Sequence, residues 1–249
     1  MARRATVIKE ARSSTQDAVL LLDAGSALTG QKLAILSQGQ VVIEAMNALG
    51  YDAMTVGRLD LDQGLENLQT RAKEARFPLL SCNIAGKDSD KLLFAPYTII
   101  KRNGIRFGIL GVSETDVITA PGADAVIALF DASESVRKYL PELRRQSDVV
   151  ILLSRLGLEA NKLLAGTIEG IDVIVNGGSR ELLSQPETVG GTVIVSAGYE
   201  GQWLGRLDAI VEGPGKTVNA QVEITTLDPE VADDPELAAL VAEYSQRYP

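Results

Sequence analysis

The sequence predicts a layered α/β fold built on two β-sheets, and three observations carry that prediction. Apolar strand-like runs alternate with amphipathic helical stretches in β-α-β-α-β order over residues 18–83. An Asn103-Gly104 pair separates two apolar runs, the strongest short-range signal for a hairpin. The last third of the chain is mostly strand-like.

In chain order, residues 2–13 read as a helix through Ala5, Ile8 and Ala11, broken by the polar stretch 12–17. Ala18 to Leu22 is a continuous apolar run of the kind expected for a strand covered on both faces, and it ends in the loop Asp23-Ala24-Gly25-Ser26. Val42, Ala45, Met46 and Leu49 share one helix face, with Gly50 placed as the C-terminal glycine. The strand Ala53–Val56 then delivers the stretch Gly57 to Gly64. A helix through Leu61, Leu65, Leu68, Ala72 and Ala75 ends before Pro78, and Leu79–Asn83 is a further strand. The hairpin 97–102/105–112 makes the sheets mixed. Val136, Leu140 and Leu143 mark the next helix, leading to a strand at 148–153, a short helical segment and a strand at 171–175. Strands at 192–196, 205–212 and 217–226 follow, the last two joined by Gly213-Pro214-Gly215-Lys216. Asp234 as N-cap and Pro235 at the first helical position open a last helix, 234–247. The whole of 1–249 reads as one domain.

Composition removes several function classes. The 24 basic and 33 acidic side chains give a net charge of -9, which opposes binding to nucleic acid or anionic membrane. No segment reaches the roughly 20 apolar residues of a membrane span, so as written the chain reads as cytoplasmic. One cysteine, Cys82, excludes a disulfide framework and a thiolate metal cluster. There are no histidines, so imidazole-based metal sites, Ser-His-Asp triads and Cys-His pairs are all excluded.

Five loops, taken together, resemble the calcineurin-like metallophosphatases of the 5'-nucleotidase type. Leu22-Asp23-Ala24-Gly25-Ser26 is similar to that family's Asp-Ala-Gly-Asp turn, and residues 46–53 to its strand approach. Gly57-Arg58-Leu59-Asp60-Leu61-Asp62-Gln63-Gly64 is similar to Gly-Asn-His-Glu-Phe-Asp-x-Gly. Leu153-Ser154-Arg155-Leu156-Gly157 resembles Leu-Ser-His-Leu-Gly, and Asn176-Gly177-Gly178-Ser179-Arg180 resembles Gly-Gly-His-Ser-His. The resemblance implies a four-layer α-β-β-α sandwich with two mixed β-sheets, lacking the family's first strand. It also implies that a nucleotide-binding domain would follow the helix 234–247 and is absent.

In that family the loops hold two metal ions that activate water against phosphate esters. Position by position, the resemblance puts Ser26 where the bridging aspartate stands, Arg58 for the ligand asparagine, Leu59 for the neighbouring histidine, Arg155 for the histidine of the fourth loop, and Gly178 and Arg180 for the last two. Arginine does not deprotonate in proteins and cannot ligate a metal. The expectation is therefore a degenerate site with no metal, no cofactor and no catalytic residue, composed of Ser26, Arg58, Arg155, Ser179 and Arg180 with supporting carboxylates Asp23, Asp60 and Asp62; Asp116 is a further acid near these loops.

Converging guanidinium groups about 5 Å apart repel by roughly 3 kcal/mol per pair at an effective dielectric near 20, so such a cluster needs anions. Either Asp23, Asp60 or Glu181 pair with the arginines, or the pocket takes a phosphate, sulfate or carboxylate. Other features read as structural: Cys82 as a buried small residue, Gly177-Gly178-Ser179 as a turn, and 228–234 as a solvated acidic linker. The expected function is a non-catalytic metallophosphatase-fold protein acting as a structural or interaction subunit, with a protein partner or as a homo-oligomer. The alternatives are anion or phosphometabolite binding and a residual 5'-nucleotidase-like phosphoester hydrolase. An exported location would follow if an N-terminal signal had been removed.

Overall fold

A computed structural model describes residues 1–115, 126–213 and 216–249; Asp116 and the Pro214-Gly215 turn lie outside the described residues. The elements are α1 (Ala2–Ser13), β1 (Leu22–Asp23), α2 (Lys32–Leu36), α3 (Gln40–Leu49), β2 (Ala53–Thr55), a 3-10 helix (Arg58–Leu61), α4 (Leu65–Glu74), β3 (Leu79–Leu80), β4 (Ile84–Gly86), β5 (Tyr97–Arg102), β6 (Ile105–Val112) and β7 (Ile127–Leu129). They continue with α5 (Ala132–Gln146), β8 (Val149–Ser154), α6 (Leu158–Thr167), β9 (Val173–Asn176), β10 (Glu187–Val189), β11 (Thr192–Ser196), β12 (Trp203–Gly213), β13 (Lys216–Thr226) and α7 (Pro235–Arg247).

Three apolar clusters separate four layers. Ile8 of α1, Ile43 and Met46 of α3, Leu68 of α4 and Leu237 of α7 pack with Met54 and Leu79 on one face of the first sheet. Ala53 and Leu80 on its other face meet Ile109, Ile151, Leu153 and Val173 of the second sheet. Beyond that sheet, Leu110, Val150, Leu152 and Ile174 pack on Val136, Leu140 and Leu143 of α5 and Leu164 of α6. Strands buried on both faces read as unbroken apolar runs, which is why β8 carries Val149 to Leu153 without alternation.

The second sheet has six strands in the order β10-β11-β9-β8-β6-β5 and is mixed: the four inner strands are parallel and the two outer strands antiparallel. The first sheet, expected to be mixed too, is a parallel ladder of β1, β2 and β3, while β4-β7 and β12-β13 form separate antiparallel pairs. Its strands are joined by helices, and a helical crossover returns the chain parallel. The β5–β6 hairpin turns at Asn103 and Gly104, both left-handed (φ 47 and 84), as the Asn-Gly pair predicts.

Two expectations need correcting. The run Ala18–Leu22 is not a strand covered on both faces: only Leu22 joins a ladder, and all five residues are half-buried. β2 begins at Ala53, so Asp52 caps the run instead, its carboxylate accepting from the Leu21 N–H at 2.8 Å and its own N–H donating to Leu21 O at 2.8 Å. The acidic stretch before α7 is not simply solvated. Asp234 is buried, accepts from Leu237 N at 3.1 Å and receives Lys9 Nζ of α1 at 2.5 Å, clasping the first helix to the last.

The strands that carry the site are registered at their amino ends by Asp172, which is fully buried, accepts from Val150 N at 2.6 Å and pairs with Arg144. Replacing it strands a largely buried guanidinium, so Asp172→Ala is expected to lower unfolding free energy by about 3–5 kcal/mol in urea titration.

Candidate functional site

All parallel strands of both sheets point their carboxyl ends to one edge, where ligands of α/β proteins bind. Asp23 ends β1, Gly57 follows β2, Glu114 follows β6, Arg155 follows β8 and Gly177 follows β9.

Asp60 organises the first half of this edge. Its carboxylate is 3% exposed and accepts three main-chain N–H bonds, from Ser26 (2.7 Å) and Gly57 (2.8 Å) on Oδ2 and from Leu28 (3.0 Å) on Oδ1. Burial, with a smaller push from Asp23, raises its pKa to about 6 against those three bonds. Residue 26 is left-handed (φ 60), which turns the Ser26 N–H onto Asp60 while Ser26 Oγ accepts from Leu59 N at 3.4 Å. Among the described residues no arginine pairs with Asp60, whose carboxylate is held by main-chain donors instead.

Arg155 organises the second half. Its Nη1 donates to Gly177 O, Gly25 O (3.3 Å) and Ala24 O (3.5 Å), and its carboxylate partner is Glu114 at 3.5 Å. The side chain is 14% exposed, and that of Glu114 is 12% exposed. Glycines let the first loop close against it: a Cβ on Gly57 would lie 2.3 Å from Ser26 Oγ and 2.9 Å from Arg155 Nε, and one on Gly177 would lie 2.6 Å from the Ala24 carbonyl oxygen and 3.1 Å from Arg155 Nη1. The guanidinium therefore fills the floor of the edge and ties the loops after β1, β6, β8 and β9 together.

The three arginines expected to share a pocket stand in three environments. Arg155 is packed inward as described. Arg180 is exposed, with its guanidinium 5.0 Å from the centroid of the Tyr199 ring. Arg58 opens the 3-10 helix half-buried, with no side-chain hydrogen bond or ion pair among the described residues. Asp23 accepts from Gly25 N at 2.8 Å; burial raises its pKa and Arg4 of α1 is the main opposing charge, ahead of Arg155. Asp62 follows the 3-10 helix, its N–H bonded to Leu59 O at 3.3 Å. Ser179 bonds the exposed Glu181, lowering that carboxyl's pKa, and accepts from Asn176 Nδ2 at 2.8 Å.

Beneath Ser179 runs a buried neutral chain: Ser154 Oγ donates to Asn161 Oδ1 (2.6 Å), Asn161 Nδ2 to Asn176 Oδ1 (3.0 Å), and Asn176 Nδ2 to Ser196 Oγ (3.2 Å). Ser154 is thereby a structural hydroxyl. Cys82 is buried and its thiol pKa pushed up to about 12, so it is unreactive.

Sequence reasoning missed Glu114, Arg4, Asn161 and Asn176. Glu114 had a signal, an acid immediately past the carboxyl end of a buried strand. Arg4 had none, because α1 meets Asp23 only through tertiary packing. Among the described residues no group of three or more His, Cys, Asp or Glu side chains can hold a metal ion, and with two of the carboxylates committed to main-chain N–H groups and to Arg155 the donor set does not fit a two-metal centre.

No protein-family model matches the chain. It is 32% identical over 267 residues to a snake venom 5'-nucleotidase from Gloydius brevicauda, an alignment that covers 97% of this chain and 45% of the relative. The 5'-nucleotidase precursor of Thermus thermophilus superposes with a TM-score of 0.89 at 27% identity, over 99% of this chain and 53% of that one. The calcineurin-like phosphoesterase YfkN of Bacillus subtilis superposes at TM-score 0.82 and 23% identity, over 100% and 89%. The chain thus spans about half the length of the curated relatives it matches. No described helix is long and apolar enough to cross a membrane.

Two measurements follow from this geometry. Arg155→Leu leaves the buried Glu114 carboxylate and three carbonyls without their cation and is expected to cost about 3–5 kcal/mol in chemical denaturation. For Asp60 the folded pKa of about 6 lies above the ordinary value of 3.8. The folded protein therefore holds a proton in that window that the unfolded chain does not. Stability from this group rises as pH falls from 6 towards 4, by up to about 1.4 kcal/mol per pH unit. Unfolding free energies of wild type and Asp60→Asn, compared across that range, should diverge with that sign.

Proposed function

From the membership of this chain in the family of 5'-nucleotidases and calcineurin-like phosphoesterases, we propose that it is a non-catalytic phosphoesterase-fold domain acting as a structural or interaction subunit. The observation that carries the reading is Arg155: a guanidinium bonded to Glu114 and to the carbonyls of Gly25 and Gly177 occupies the floor of the loop edge. It links the loops electrostatically, the service that a bound cation performs in a metal-dependent enzyme. The absence of histidine supports it, since the side chain that most often serves as base or acid near neutral pH is missing. Purified protein incubated with Mn²⁺ or Mg²⁺ is expected to turn over no generic phosphoester, and metal-dependent hydrolysis lost in Asp60→Ala would overturn the reading in favour of a residual hydrolase.

Interaction through the surface is supported by the open side of β1. The main chain of Ala18, Val19 and Leu20 has no hydrogen-bond partner among the described residues, and their apolar side chains are half-buried. Such an edge pairs readily with another strand. Light scattering should find a dimer or, with co-purified material, a complex; a monomer at all concentrations that captures nothing counts against it.

A second reading, small-anion binding, rests on Arg58, the half-buried arginine at this edge with no described ion pair. A ligand at 100 times its Kd stabilises by about 2.7 kcal/mol. Phosphate or sulfate should then raise the Tm of wild type and not of Arg58→Ala; equal shifts, or none, reject it.

A further inference from the structure

Two β-ladders in the layer of the first sheet have open edges, and they belong to elements that share one plane. β1 ends the order β1-β2-β3, and β12-β13 is a separate pair. Leu20 and Leu22 pack on the inner apolar cluster together with Leu207, Val211 and Ala220, while Leu21 and Leu204 pack on the outer one beneath the helices. The run into β1 and the hairpin are therefore held between the same two apolar clusters. No ladder joins them among the described residues. A long side chain crosses the interval instead: Arg206 Nη1 of β12 donates to Ser14 Oγ at 3.4 Å.

Main-chain groups line both sides of that interval. Leu21 accepts from the Asp52 N–H and donates its own N–H to the Asp52 carboxylate, so its main chain faces β2. Successive residues of an extended chain alternate, which turns the main-chain groups of Leu20 and Leu22 the other way. On the hairpin, Leu227 N donates to Gln202 O, and the same alternation turns Trp203, Gly205 and Leu207 away from β13. Such groups require hydrogen-bond partners once water is excluded. We propose that the interval between β1 and β12 is a slot for one extended strand supplied by another polypeptide, hydrogen-bonded on both of its edges and apolar on both of its faces. The proposal rests on the reading of this chain as an interaction subunit and names what that subunit receives. The run that would pair with it, 18–23, sets its length at about six residues. Because its side chains would point alternately into the two apolar clusters, the incoming segment is an unbroken apolar run rather than an alternating one. Seated there, it joins β1-β2-β3 and the hairpin into one continuous sheet.

The test uses the full chain and a synthetic peptide of about eight residues, rich in Val and Ile and flanked by lysines for solubility. Fluorescence anisotropy reads binding, and amide hydrogen exchange reads the place: Leu20, Leu22, Gly205 and Leu207 are expected to gain about tenfold protection with the peptide bound. Two N-methylated versions of the peptide block alternate amides, one set for each of its edges. Each is expected to weaken binding about tenfold or more, because each removes at least one net hydrogen bond. Full affinity with either set methylated means addition to a single edge; that overturns the slot and leaves interaction through the open side of β1 standing. No binding of the unmodified peptide, or protection at Leu20 and Leu22 without protection at Gly205 and Leu207, also overturns it. Self-association of the peptide-free chain that protects the same amides assigns the place to a second copy and rejects the proposal. Failure of the parent reading is separate, since it appears as metal-dependent phosphoester turnover.

Discussion

An ionised carboxylate removed from water and given no counter-ion is costly, and its cost is bearable only where donors surround it. Asp60 meets that condition through three main-chain N–H groups drawn from two segments, 26–28 and 57. The shape of the edge follows. Ser26 adopts a left-handed conformation to present its N–H, the loop after β1 closes over the 3-10 turn, and the carbonyls of Ala24 and Gly25 are left facing the next layer. Those carbonyls are half of what Arg155 needs.

Arg155 supplies the other half of the construction. Its forked donors reach several loops at once, a geometry that a lysine point charge cannot reproduce. Gly57 and Gly177 let the first loop close over it, since a methyl group at either would strike Ser26 or Ala24 and then crowd the guanidinium. The result is an edge cross-linked by one anion and one cation that do not contact each other, each satisfied mainly by backbone. Underneath, the Ser154-Asn161-Asn176-Ser196 chain fixes the ends of β8, β9 and β11 with neutral bonds. A ligand-binding edge is ordinarily open and polar; this one has its floor filled by its own side chains.

Much of the fold was legible because its signals are local. Asn103-Gly104 specified a turn, Gly50 (φ 66) a helix end and Asp234-Pro235 a helix start, and each was found where expected. The parallel core strands were legible from unbroken apolar runs. Where the local signal failed, a distant partner was responsible. Ala18 to Leu21 has the composition of a buried strand but forms no ladder, because β2 starts too late to pair with it. At the site, the loops could be picked out from the sequence, but the pairings of their side chains could not. Asp60 belongs to the backbone, Arg155 belongs to Glu114, and Arg180 turns outward onto Tyr199.

The sequence by itself determined that no imidazole is present to ligate a metal or move a proton, and it determined the layered α/β architecture, because periodicity and turn residues act over a few positions. Only the tertiary structure decided which charges meet. Glu114 and Arg155 are separated along the chain by β7, α5 and β8, and Asp23 and Arg4 by the remainder of α1 and the run to β1. Ion pairing depends on distance and desolvation in the folded state, and neither quantity is written in local sequence.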